Sequence, residues 1–196
     1  MTLAFRTYLA SSITAAFIAL AASGASAQEA HVGPVTDYIK QNVADWVNDP
    51  LIISAIKEQN AKHANLSDAD IDALDKKWRA EVEASDKPLI NATLANAVST
   101  LLKEKQAASE GAIAEVFVMD AKGLNVGQSD TTSDYWQGDE AKFQKSFGAG
   151  KDAVFVDEVE KDESTQVLQS QASMTIVDET GAPIGAITVG VNLDAL

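Results

Sequence analysis

The sequence predicts an α+β domain, a helical first half followed by one antiparallel sheet. Apolar residues recur at helical spacing from 34 to about 108, whereas residues 112 to 193 are rich in β-formers and alternate in polarity. The strand-like runs are also joined by tight turns, which consecutive strands tolerate only as antiparallel neighbours. No repeat, low-complexity tract or linker divides residues 28–196, so one domain is expected.

Residues 1–27 read as a signal peptide. Arg6 is the only charge before Glu29, an apolar run follows from Leu9 to about Ala22, and Ala25 and Ala27 supply the small residues that signal peptidase reads. The run is shorter than the roughly 20 apolar residues needed to span a bilayer. Cleavage after Ala27 and a soluble periplasmic domain are therefore expected, with no membrane span after cleavage. The chain has no cysteine, hence no disulfide and no thiolate metal site. The formal net charge is −14, and loss of Arg6 makes it more negative. Such a charge repels polyanions, which excludes nucleic acid and anionic membrane surfaces as partners.

The helical half starts at Pro34, suited to a first helical turn. Val35, Ile39, Val43, Trp46 and Val47 share one face, and the pair Asp49-Pro50 should kink or restart the helix, because a residue before proline avoids the α region. Leu51, Ile52, Ala55 and Ile56 continue the apolar face. Ser67 with Asp70 forms a capping box for a helix striped by Ile71, Leu74, Trp78 and Val82. Pro88 can start a third helix, with Leu89, Leu94, Val98, Leu101 and Leu102 inward. Five strands follow, over 113–119, 124–128, 154–160, 166–177 and 184–193. A polar, aromatic loop over 129–138 and a short helix over 139–147 separate the second from the third.

Four segments in this order resemble the Cache family, the extracellular PAS-like (PDC-type) sensor domains, in its single-domain form. They are Trp46-Val47-Asn48-Asp49-Pro50-Leu51-Ile52-Ile53-Ser54-Ala55-Ile56, Val116-Phe117-Val118-Met119-Asp120-Ala121-Lys122-Gly123, Thr132-Ser133-Asp134-Tyr135-Trp136-Gln137-Gly138-Asp139-Glu140, and the run from Met174 to Val191 with its Gly181 turn. The resemblance implies a five-stranded antiparallel sheet with long N-terminal helices on one face and a small-molecule pocket on the other. Such domains usually form the outer parts of histidine kinases and chemoreceptors. This sequence shows no second span and no output module, so a ligand signal would pass to a separate membrane sensor kinase or chemoreceptor. A ligand-free alternative is an interaction module that modulates an envelope sensor or pairs with itself through the first helix.

The residues give catalysis little support, and no cofactor is expected. Neither His31 nor His63 has a nucleophile in a recognisable motif, and both read as surface histidines. Asp68, Asp70, Asp72 and Asp75 fail the EF-hand pattern, which needs Gly and Glu where Ala73 and Arg79 stand, so no metal site is assigned. The candidate ligand residues are Asp134, Tyr135 and Trp136 of the aromatic loop, with Asp157, Gln171 and Ser173. The two rings could wall a pocket or hold a cation, or could plug the core. Alternation places Gln169, Gln171, Ser173 and Thr175 on one face of the fourth strand. Carboxylate-sensing relatives commonly carry Arg near the position of Gln171, whereas residues 123–196 contain no Arg. A carboxylate ligand wants a bidentate donor, so a neutral or cationic ligand is expected, with Asp134 and Asp157 as counter-charges.

Overall fold

A computed structural model describes residues 30–150, 152–161 and 167–196. The expected signal peptide lies outside these residues. Helix α1, Val32–Asn42, buries Val35 and Ile39. Consecutive turns follow, and α2 covers Pro50–His63 with Asp49 as its cap, whose side chain accepts from the Leu51 amide at 2.8 Å. The long first helix therefore breaks earlier than the Asp49-Pro50 pair predicts, after Asn42. The turns still deliver Val43, Trp46 and Val47 to the core, which is why their helical spacing survives the break.

Helix α3, Asp68–Glu83, starts on the expected capping box, with Ser67 and Asp70 bonded reciprocally. The hydroxyl and amide of Ser67 hold the Asp70 carboxyl below its usual range. The single helix expected from Pro88 is two, α4, Pro88–Leu94, and α5, Ala97–Ala108. Asn96 makes the break. Its Oδ1 accepts from the Ser99 amide at 2.8 Å and caps α5, while its Nδ2 donates to the Val126 carbonyl at 2.8 Å.

The strands are β1, Ile113–Asp120, β2, Asn125–Gln128, β3, Val154–Lys161, β4, Leu168–Val177, and β5, Pro183–Asn192. They form one sheet in the order β2-β1-β5-β4-β3, with every neighbouring pair antiparallel. A short helix α6, Ala141–Gln144, lies between β2 and β3 and is shorter than the sequence suggests. Alternation splits the sheet into two faces. Val116, Val118, Val126, Ala172, Met174, Ile176, Ile187, Val189 and Val191 pack with Ile39, Ile52, Ile56 and Leu102 of α1, α2 and α5 into the main core. Burying each such aliphatic side chain contributes about 1.5–3 kcal/mol relative to leaving it in water.

The opposite face carries Glu115, Phe117, Gln169, Gln171, Ser173, Thr175 and Thr188; Phe143 and Phe147 pack on it against Phe117 and Met119, and beside them, among the described residues, it opens into a cleft.

Neither histidine is the free surface residue that the sequence suggests. His63 Nδ1 lies 2.7 Å from Oδ2 of the fully buried Asp120, whose other oxygen accepts from the amides of Lys122 and Leu124 and so shapes the β1–β2 turn. His31 is buried against the Asp157 carbonyl, 2.9 Å from its Nε2, which ties α1 to the edge strand β3.

Candidate functional site

The open face of the sheet supplies a cleft of about 330 Å³. Its floor is built by alternation: Glu115 and Phe117 from β1, Gln169 and Gln171 from β4, and Glu160 from the neighbouring β3. Gly190 lies between them on β5, paired with both Glu115 and Gln171. A Cβ on Gly190 would fall 2.7 Å from Glu115 Cγ and 3.0 Å from Gln169 Oε1, so the absence of a side chain is what lets these two cross the strand. Gln171 Nε2 donates to Glu115 Oε1 at 2.7 Å, and Gln169 Nε2 reaches Glu160 Oε1 at 3.4 Å. Each carboxylate is thereby oriented by a neighbouring amide.

The rim is the loop after β2, through Thr131, Thr132, Ser133 and Gln137, together with Lys142 of α6. Lys142 is already engaged: its Nζ pairs with Glu140 at 3.0 Å and lies 5.5 Å from the Phe117 ring centroid.

The loop is mounted on α3. Asp75 Oδ1 accepts from the amides of Tyr135, 2.9 Å, and Trp136, 3.0 Å. Asp75 Oδ2 accepts from Arg79 Nε at 2.7 Å, and Arg79 Nη1 pairs with Asp134 Oδ1 at 2.9 Å. The neighbouring carboxylates raise the Arg79 guanidinium above its ordinary value, Asp75 most of all. Trp78 Nε1 donates to the Thr132 carbonyl at 2.8 Å. Thr132 is thus a rim residue held from behind by a buried helix side chain.

The six residues singled out from sequence separate. Gln171 lines the cleft. Asp157 lines an adjoining hollow of about 260 Å³ that shares Glu160 and Gln171 with it. Ser173 is fully buried and hydrogen-bonded to Thr188 Oγ1 at 2.9 Å, so its hydroxyl is consumed inside the sheet face.

Asp134 faces Arg79 rather than the cleft, while its carbonyl anchors the loop by accepting from Asn125, Thr132 and Gln137. Of the two roles left open for Tyr135 and Trp136, pocket wall or core plug, the contacts seen are those of packing. The Tyr135 ring stacks on Trp78 at 5.2 Å, and both rings join the cluster of Ile71, Ile90 and Leu124 beneath α3 and α4. Burial pushes the Tyr135 hydroxyl up to about 12. Trp136 Nε1 donates to the Lys122 carbonyl at 2.8 Å, satisfying the indole inside that cluster.

Sequence reasoning did not single out Glu115 or Glu160, and it placed Gln169 on the same strand face as Gln171 without naming it among the ligand residues. Glu115 had a signal, because alternation puts it on the same face as Phe117, an acid directly before the apolar run Val116 to Met119. Among the described residues no group of three or more His, Cys, Asp and Glu could hold a metal ion, and no helix is long and apolar enough to cross a membrane.

No family model matches the sequence, and no curated protein matches it. Solved structures do match the fold. The V. cholerae histidine kinase DctB sensor domain aligns with a TM-score of 0.51 and 12% identity, over 87% of this chain and 54% of that one. The chain has the fold of the DctB sensor domain. It spans little more than half of that domain's length. The sensory domain of the Campylobacter jejuni chemoreceptor Tlp3 with isoleucine bound aligns at TM-score 0.39 and 13% identity, over 80% of this chain and 62% of that one. The E. coli DcuS sensor domain aligns at 0.37 and 16%, over 63% and 91%. The DctB-like architecture is the Cache, or PDC-type, fold, one five-stranded antiparallel sheet with helices on one face, as the sequence resemblance implies.

Proposed function

We propose that this chain is an extracytoplasmic small-molecule sensor domain whose ligand occupies the cleft on the open face of the sheet. The observation that carries this reading is the cleft itself: a polar hollow of about 330 Å³ on a sheet whose other face is fully used by the core. Small-molecule sites are concave and hold a few well-placed polar groups against an apolar floor, here Gln171, Gln169 and Glu115 over Phe117. In this reading residues 1–27 direct export to the periplasm, where a membrane kinase or chemoreceptor reads the domain's occupancy. Catalysis is not part of this reading.

Thermal-shift screening of metabolites against the purified chain tests it. Thr131 is an exposed rim residue, so Thr131→Trp plugs the cleft without touching the sheet. A ligand that raises the melting temperature of the wild type should lose that effect in the variant. An unchanged shift in Thr131→Trp removes the cleft as the site.

The ligand-free reading, a dimerising module, draws on a second groove between α2 and α5, where Leu51 is 38% exposed, and on Val32 of α1, equally exposed. A mass that stays monomeric across concentration in sedimentation would end it.

A further inference from the structure

We propose that the cleft takes a small polyhydroxy compound, a polyol or monosaccharide, whose hydroxyls donate to the side-chain oxygens of Gln137, Gln169 and Gln171; this rests on the cleft being the ligand site. All three amides line the cleft. Each turns its nitrogen towards the protein. Gln137 Nε2 donates to the Asp134 carbonyl at 3.0 Å, Gln169 Nε2 to Glu160 at 3.4 Å and Gln171 Nε2 to Glu115 at 2.7 Å. These partners settle which way each amide lies, because a turned amide would set its oxygen against a carbonyl or a carboxylate. Among the described residues none of the three Oε1 atoms receives a hydrogen bond. Yet Gln137 is 2% exposed and Gln169 3%. Polar groups on side chains so deeply buried are ordinarily paired, so two buried amides hold acceptors ready in a cleft they line. Gly190 gives Gln169 Oε1 its place above β5, since a Cβ there would fall 3.0 Å from that oxygen.

Several acceptors in one hollow match several donors on one small molecule. Gln169 and Gln171 leave β4 two residues apart, about 7 Å along the strand, and Gln137 stands on the rim. A ligand with one donor would meet one corner of this arrangement. An alkyl ligand would cover the oxygens and leave them unpaired, which weakens binding. The rim adds hydroxyls. Ser133 Oγ donates to Asp134 Oδ2 at 3.0 Å and keeps its lone pairs for a further donor, and the Thr131 hydroxyl can rotate to give or accept. A ligand hydroxyl both donates and accepts at one atom, so it can bond an amide oxygen and a rim hydroxyl together. The cleft of about 330 Å³ lies at the small end of the roughly 300–1,000 Å³ range of ligand sites, which suits one sugar ring or a short polyol.

The test is calorimetric titration of the purified chain with D-ribose, D-glucose and myo-inositol, with cyclohexanol as the one-hydroxyl counterpart of inositol. At least one of the three polyhydroxy compounds should bind, about tenfold or more tightly than cyclohexanol. Gln169→Met and Gln171→Met exchange an amide for an apolar chain of similar length. Each should weaken the bound compound by about three- to tenfold, the scale of one neutral hydrogen bond, at a melting temperature that shows a folded chain. Deoxy analogues of the bound compound put the same question to the wild type, and loss of a hydroxyl at two or more positions should cost a similar factor. Failure of all three compounds to bind at millimolar concentration overturns the proposal. So does cyclohexanol binding as tightly as inositol, or a bound compound indifferent both to the two Met variants and to its own missing hydroxyls. Thr131→Trp separates the two levels. If a metabolite without hydroxyls binds instead and the plug abolishes it, the cleft stands and the polyhydroxy class falls. If binding of a polyhydroxy compound survives the plug, both fall.

Discussion

Replacing Asp75 by alanine should release the rim of the cleft from α3. Asp75 is 8% exposed and serves three donors: the amides of Tyr135 and Trp136 and the Nε of Arg79. The two amides belong to adjacent residues of one loop, and in the alanine variant they lose their acceptor. A hydrogen bond to a charged acceptor is worth about 1.5–3 kcal/mol, and a buried donor left without one costs about 1–3 kcal/mol.

Arg79 has a side chain 57% exposed, so solvent screening limits its link to a few tenths of a kcal/mol. Removing Asp75 also relieves the cost of desolvating it, so the loss should be about 3 kcal/mol rather than the full total. Asp75→Asn keeps one oxygen for the amides and should lose about 1 kcal/mol. Urea unfolding followed by tryptophan fluorescence measures both. With a slope of about 2 kcal/mol/M, the alanine midpoint should fall by about 1.5 M at unchanged slope. A midpoint within about 0.3 M of wild type would show that the loop holds its shape without α3, and the mounting argument would fail.

Other positions give independent checks. Gly185→Ala would drive a Cβ into the Met119 carbonyl across the β1–β5 pair, so the variant should unfold earlier or misfold; a wild-type melting temperature would contradict that packing. Asn96→Ala removes the cap of α5 and the donor to Val126, and should cost about 1–2 kcal/mol in the same urea assay; no loss would mean the helix break is held by something else.

Tyr135 predicts an alkaline limb. Its hydroxyl is pushed up to about 12 from 10.0, by burial first and then by the charge of Asp120. The unfolded tyrosine ionises at the lower value, so above about pH 10 the unfolded state holds fewer protons than the native one. Stability should therefore fall as pH rises towards 12, by up to about 2.5 kcal/mol from this group. Tyr135→Phe should lose that share of the fall in urea midpoints, and a parallel pH curve for the two proteins would refute it.

Much of the architecture was legible because local chemistry agrees with it. Ser67 and Asp70 spell a capping box in any context, Asp49-Pro50 starts a helix, and the turns at Gly123 and Gly181 take positive φ as a glycine allows. The breaks at Asn42 and Asn96 were hidden because apolar spacing continues across both. Val43, Trp46 and Val47 reach the same core through turns, and Val98 and Leu102 resume the stripe beyond the Asn96 cap. The aromatic pair misled for a related reason. Tyr135 and Trp136 sit in a polar loop, but the partner that absorbs Tyr135 is Trp78, dozens of residues away on α3.

By itself the sequence determined the order of helices and strands, the two faces of β4 and the lack of an arginine for a carboxylate ligand, because these depend on residue type and on a period of two or 3.6 along the chain. The tertiary structure alone decided which side chains converge. Glu115 meets Gln171 only because β1 and β4 both flank β5, and Asp75 meets Tyr135 only because α3 folds back over the loop. Periodicity sets the direction in which a side chain points, but only the packing of distant segments sets what it meets there.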